Sequence, residues 1–154
     1  MRVVLIEPEI PQNTGSVARL CAGTGIPLHL VGRLGFSLED RYLKRAGLDY
    51  WPAVTLHHHA TVEEWLAHLN DEPVWALSSH ATRDYTEVRY GPRDWLVFGC
   101  ESVGLPSGLR QRFAGGLLQI PSNGMVRSYN LSNSVAVVMF EAGRQQRFPW
   151  RGAP

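Results

Sequence analysis

Cysteine is scarce, with only Cys21 and Cys100 in the chain and no CxxC spacing between them. This argues against a disulfide-stapled framework, a zinc ribbon or a redox motif. No stretch approaches the roughly 18 consecutive apolar residues of a membrane-crossing helix. The start, Met1 to Glu9, reads as a strand and a polar turn rather than a signal peptide, so the expectation is a cytoplasmic protein without a membrane partner. Lysine is almost missing: of 15 basic residues only Lys44 is lysine, which leaves guanidinium groups suited to planar contacts with phosphate or base edges. A net charge of +1 excludes a histone-like coat for polyanions. Glycine and proline, 15 and 10 of 154 residues, fall short of low-complexity disorder. What remains is a chain that is 44% hydrophobic, long enough for one domain to bury a proper core without a structural metal.

Apolar runs of strand length alternate with helical segments. Val3 to Ile6 suits a strand covered on both faces. Pro8 and Pro11 keep Glu7 to Gln12 extended, and Asn13 or Thr14 is the expected N-cap of a helix through Val17, Leu20 and Cys21 that stops near Gly23 or Gly25. Further strands are expected at Leu28 to Val31, Val54 to Leu56, Val74 to Leu77, Trp95 to Phe98 and Leu117 to Ile120. A basic helix is expected at Leu38 to Ala46. Thr61 and Glu64 form a capping box before a helix through Trp65, Leu66 and Leu69. Leu105 to Phe113 and Leu131 to Gln146 complete the helices. This order implies an α/β fold with a mostly parallel sheet.

Three polar segments follow strand ends, where open α/β sheets place ligands. Glu7 to Arg19 joins the first strand to the first helix. Phe98 to Pro106 carries a carboxylate, Glu101, between Gly99 and Gly104, but neither a P-loop nor a three-glycine dinucleotide pattern. Ile120 to Asn133 concentrates small polar residues, with Ser128 and Asn130 as candidate caps for the last helix. That helix is apolar on more than one stripe between Val135 and Ala142, so it is either buried or also covers a partner subunit. His57, His58 and His59 alternate across a strand and cannot all reach one metal, so surface positions are expected for them. His80 after Ser78 and Ser79 lacks a companion carboxylate for a triad. There is no Gly-x-Ser-x-Gly elbow. On these residues alone, Asn13 is a cap and Arg19 a solvated side chain.

Together, however, Glu7-Pro8-Glu9-Ile10-Pro11-Gln12-Asn13-Thr14-Gly15 with Arg19-Leu20-Cys21-Ala22, Arg45-Ala46-Gly47-Leu48-Asp49-Tyr50, Phe98-Gly99 with Glu101 and Gly104-Leu105-Pro106, and Arg127-Ser128 with Asn130-Leu131-Ser132-Asn133 resemble one family. It is the bacterial tRNA (cytidine/uridine-34-2'-O)-methyltransferases of the TrmL (YibK) type, in the SPOUT superfamily. The resemblance implies a single SPOUT domain over residues 1–154, with a C-terminal deep trefoil knot. It implies S-adenosyl-L-methionine bound in the knot, released as S-adenosyl-L-homocysteine, no metal, and a homodimer that shares its active sites. Methyl transfer to the ribose 2'-hydroxyl of nucleotide 34 of tRNA, with leucine isoacceptors as the expected substrates, follows from it. Cofactor contacts would fall on Leu77, Gly99, Ile120 and Ser128, and the catalytic set on Asn13, Arg19, Glu101 and Asn130. Because arginine is a poor base, Arg19 is expected to act electrostatically on a phosphate and the developing alkoxide. Arg41, Lys44, Arg45 and Arg127 are the expected contacts to the anticodon stem-loop backbone. The segment Pro121 to Arg127 departs from the family pattern in lacking an acidic residue shortly before the arginine. The alternatives are a SPOUT enzyme for another tRNA or rRNA position, and a non-catalytic α/β module that binds RNA or a nucleoside.

Overall fold

The computed structural model describes residues 1–38 and 50–152. Six parallel strands form one sheet: β1 (Arg2–Ile6), β2 (Leu28–Val31), β3 (Leu56–His59), β4 (Val74–Leu77), β5 (Trp95–Phe98) and β6 (Leu117–Leu118). Their order is β3-β2-β1-β5-β4-β6, so the chain works outward from β1 on one side and fills the other side later. The central strands are apolar on both faces because both faces are covered. Val3, Leu5, Leu28, Leu30, Leu96 and Phe98 face α1 (Pro11–Thr24) and the last helix. Val4, Ile6, Val31, Trp95 and Val97 face Trp65 of α2 (Val62–Leu66) and Leu109 of α3 (Ser107–Arg112). Each fully buried leucine or valine of this kind contributes about 2 kcal/mol.

The last helix, α4 (Leu131–Gln145), buries Leu131, Val135, Val138, Met139 and Ala142 against α1 and the sheet. Val137 and Phe140 remain exposed on its outer side, with Trp150 edgewise and Phe148 tilted against the Phe140 ring. Among the described residues no helix is long and apolar enough to cross a membrane.

Several sequence expectations shift. The first helix starts at Pro11 rather than after Asn13, since proline fits the first helical position where its missing N–H is not needed. Its end is as expected, at Gly25, whose φ of 66° is left-handed. β3 lies at Leu56–His59, beyond the apolar Val54 to Leu56, because an edge strand need not be apolar. The capping box is real, with Thr61 Oγ1 accepting from the Glu64 amide at 3.1 Å, but α2 ends at Leu66. β6 covers only Leu117–Leu118, with Gln119 continuing as a single bridge to Asp84. The basic helix expected at Leu38 to Ala46 lies outside the described residues but for Leu38.

Candidate active site

The ends of β1, β5, β4 and β6 open into one cavity of about 550 Å³, within the range of small-molecule sites. It sits where the strand order reverses around β1 and β5, the position at which parallel sheets bind ligands. Leu77, Phe98, Ile120 and Leu131 give it apolar walls, and Ser78, Ser128 and Asn130 give it hydroxyl and amide groups. The four residues expected at a cofactor, Leu77, Gly99, Ile120 and Ser128, all line it.

Gly99 has a steric reason to be glycine. A Cβ there would lie 2.1 Å from the carbonyl carbon of Gly104, because the loop after β5 folds back on itself through a Cys100–Gly104 bridge. The turn aims Glu101 at the start of α1. Ile10, the N-cap, has no side-chain hydrogen bond to the helix, and the backbone just before the helix is braced from the other loop. Glu101 Oε2 accepts from the Glu9 amide at 2.8 Å, and Oε1 accepts from the Ile10 amide at 3.2 Å. A carboxylate is well placed at this positive helix end.

Glu101 Oε1 also accepts from Asn13 Nδ2 at 2.9 Å, and Asn13 Oδ1 accepts from Asn130 Nδ2 at 2.9 Å. Asn130 Oδ1 in turn caps α4, accepting from the Ser132 and Asn133 amides at 2.9 and 3.3 Å. Asn13 is therefore a buried link between two loops rather than the N-cap of its own helix. Of the two caps considered for α4, Asn130 serves and Ser128 does not. The relay leaves Glu101 and both asparagines with their amide and carboxylate orientations set by partners on both sides.

Arg19 stands apart from this relay. It is exposed on α1 and does not line the cavity of its own chain. Its guanidinium carbon lies 5.0 Å from the centre of the Tyr50 ring. Arg127 is exposed and lines the cavity mouth, beside exposed Met125, Val126 and Tyr129. Arg41, Lys44 and Arg45 lie outside the described residues.

Three features were missed from sequence. The Glu9 carboxylate accepts from the Ser102 amide and hydroxyl at 3.0 and 2.7 Å, a second clamp between the same two loops. Both residues stand in the polar segments after β1 and β5, which is the signal that was there to find. Arg110 lines the cavity and donates to the Leu105 carbonyl at 3.0 Å. His59 is not a surface histidine: it is buried, with Nε2 2.9 Å from His29 Nδ1, whereas His57 and His58 are exposed. Cys21 is buried, and loss of solvation pushes its thiol up to about 12, so it is an inert core residue.

These observations define a class: a parallel α/β protein with a polar-braced ligand cavity at the reversal of its strand order. The chain belongs to the SpoU rRNA Methylase family, whose pattern matches residues 1–140. It is 47% identical over 152 residues to the tRNA (cytidine(34)-2'-O)-methyltransferase of Acidovorax sp. (strain JS42), covering 95% of this chain and 92% of that one. It is 44% identical over 147 residues to the protein of the same name from Saccharophagus degradans, covering 95% and 96%. A structure solved for insight into the 2-OH methylation of C/U34 on tRNA superposes with a TM-score of 0.91 at 46% identity, covering 95% of both chains. The AdoMet-bound rRNA methyltransferase of Sinorhizobium meliloti matches with a TM-score of 0.82 at 28% identity, over 93% of this chain and 55% of that one.

Proposed function

We propose that this chain, acting as one SPOUT domain over residues 1–154, methylates the ribose 2'-hydroxyl of nucleotide 34 in tRNA. The observation that carries the reading is the Glu101–Asn13–Asn130 relay on the wall of a nucleoside-sized cavity, in a chain nearly half identical, end to end, to enzymes named for that reaction. Residues and ligand suit each other: Leu77 and Ile120 offer apolar contact to an adenosine, and Ser128 and the backbone beside Gly99 offer polar contact. S-adenosyl-L-methionine supplies, when bound there, a methyl group on a cationic sulfonium. Glu101 and Asn13 fix the loop after β1, and Asn130 fixes the loop after β6, so the reacting hydroxyl meets a preset geometry. Arg19 stabilises charge on the ribose oxygen and its phosphate.

Arg19 lies off its own cavity, so the reading places it at the cavity of a second copy in a homodimer. The exposed Val137 and Phe140 of α4, which lies beside α1, supply an apolar surface for that pairing. The C-terminal knot is supported by the path of the chain: β6 pairs outside β4, and α4 then returns to α1 and β5. Gln145 Nε2 donates to the Val88 carbonyl at 3.0 Å, tying α4 to the connection between β4 and β5. Arg127, with Arg41, Lys44 and Arg45, would meet the anticodon stem-loop of a cytoplasmic tRNA, and leucine isoacceptors are the substrates to test first.

The test is methyl transfer from labelled S-adenosyl-L-methionine to tRNA from a strain lacking the activity, with the modified nucleotide located by mass spectrometry. Label on the ribose of nucleotide 34 is expected. Label at another nucleotide overturns the assigned target, and no transfer despite cofactor binding overturns the enzymatic reading. Arg19→Ala should remove turnover and leave cofactor affinity unchanged.

A further inference from the structure

We propose that Tyr50 is a positioning residue that holds the Arg19 guanidinium ready for the reaction. The proposal rests on the role given to Arg19 above and goes beyond it, because an arginine on an exposed helix face is otherwise free to sample many rotamers. A transition-state group has to be fixed before the reaction to be effective. Something must therefore restrain Arg19, and among the described residues Tyr50 offers such a restraint.

Tyr50 is itself held at several points. Its ring packs against the main core. Its hydroxyl donates to the Gly15 carbonyl at 3.0 Å, and its own carbonyl accepts from the Ala53 amide at 2.9 Å at the start of the 3-10 turn Trp51–Ala53. Gly15 and Arg19 are four residues apart on α1 and so share one face of it. The tyrosine thus spans one turn of the helix, bound to the backbone at Gly15 and lying beneath the guanidinium at Arg19, 5.0 Å from ring centre to guanidinium carbon. Glycine is unfavourable inside a helix relative to alanine. Here its carbonyl is the acceptor of the phenol hydroxyl.

The geometry suits a guanidinium that must donate. The ring supplies no oxygen acceptor, so the guanidinium N–H groups stay available to a phosphate or ribose oxygen. A carboxylate partner would occupy those groups, and among the described residues none pairs with Arg19. The ring face attracts the cationic guanidinium, which agrees with an electrostatic role. The positions 45–50 that resemble the family motif then gain a function at their last residue: Tyr50 connects that segment to the helix carrying Arg19.

The experiment compares Tyr50→Phe and Tyr50→Leu in the full-length protein by steady-state kinetics on tRNA, with S-adenosyl-L-homocysteine affinity measured by calorimetry. Tyr50→Leu removes ring and hydroxyl, and should lower kcat by about 3- to 30-fold, the span of a cation–π contact converted to a rate. Cofactor affinity should not move. Tyr50→Phe keeps the ring and should recover most of the loss. Equal losses in both variants would assign the effect to the Gly15 hydrogen bond and overturn the role of the ring. Unchanged kcat in Tyr50→Leu, alongside an inactive Arg19→Ala, would overturn the proposal and leave the role of Arg19 standing; an active Arg19→Ala would overturn that role first. Should Tyr50→Leu fail to fold, position 50 is filled instead with phenylalanine and with pentafluorophenylalanine, which keeps the ring's shape but reverses its quadrupole. The fluorinated ring should lower kcat relative to phenylalanine, and equal rates would sink the idea.

Discussion

Two polar clusters sit inside this sheet, and they differ in what they face. One is the relay of Glu101, Asn13 and Asn130 at the ends of β1, β5 and β6, which links three loops and opens onto the cavity. The other is the histidine group between β2 and β3. His29 and His59 share a hydrogen bond, His29 stacks on His57 at 4.5 Å between ring centres, and its edge meets Trp95. The first is built from groups that accept and donate along a chain with an anion at one end. The second is closed: two buried neutral rings satisfy each other under α2. A buried polar group is therefore not in itself a mark of function; opening onto a cavity distinguishes the first cluster from the second.

The sharpest way to break that comparison is Glu101→Ala. It leaves the Glu9 and Ile10 amides and Asn13 Nδ2 without their acceptor, and turnover should fall by about 100-fold or more through loss of preset geometry. Unfolding free energy should fall by about 2 kcal/mol, the cost of stranding partly buried donors. Urea melts and single-turnover rates measure the two effects separately, and an Ala variant with normal turnover would remove the relay from the active site.

The histidine cluster should respond to pH instead. Burial, reinforced by His57 and His59, lowers His29 from 6.5 to about 3, and burial lowers His59 as well. In the unfolded chain both titrate near the ordinary value. Between about 3 and 6.5 the unfolded state binds more protons, so stability is full above 6.5 and is lost as pH falls through that window. Thermal melts should therefore show a steeper loss on acidification in the native protein than in His29→Gln, while turnover at neutral pH stays equal. Parallel stability curves would show that the pair does not stay neutral.

These clusters also mark where sequence reading works. β1 and β5 are legible because burial on both faces writes an uninterrupted apolar run, as in Val3 to Ile6, while β4 reads as a half-buried apolar run and β2 as an apolar one broken only by His29. β3 is displaced from its apolar neighbours because His57 and His58 on an edge strand need not be hydrophobic. The start of α1 was misplaced because Asn13 is an excellent cap by residue type, yet its side chain is taken by Glu101, 88 residues away. No local pattern can show that pairing, nor the link of Asn13 to Asn130 at a separation of 117. The grouping of these residues came from the family resemblance of four ordered motifs. The position of Arg19 outside the cavity came only from the fold.

The smallest expected effect tests how completely each cluster satisfies its surroundings. Among the described residues two buried side-chain atoms lack a hydrogen-bond partner: Thr14 Oγ1, next to Asn13, and Trp65 Nε1, on the face of the sheet that holds the histidines. Both residues are fully buried. Thr14→Val exchanges the hydroxyl for a methyl of nearly the same size, with little change in helix propensity. Removing an unsatisfied hydroxyl should raise stability by about 1 kcal/mol, read as a higher urea midpoint at constant slope. Trp65→Phe removes its orphan too, but leaves a void against Trp95 and Phe113, so it should destabilise by about 1–3 kcal/mol. Opposite signs at the two positions would confirm that the orphan atoms matter less than the space around them. A destabilising Thr14→Val would mean instead that Oγ1 has a partner in solution, and that the first turn of α1 holds one more link of the relay.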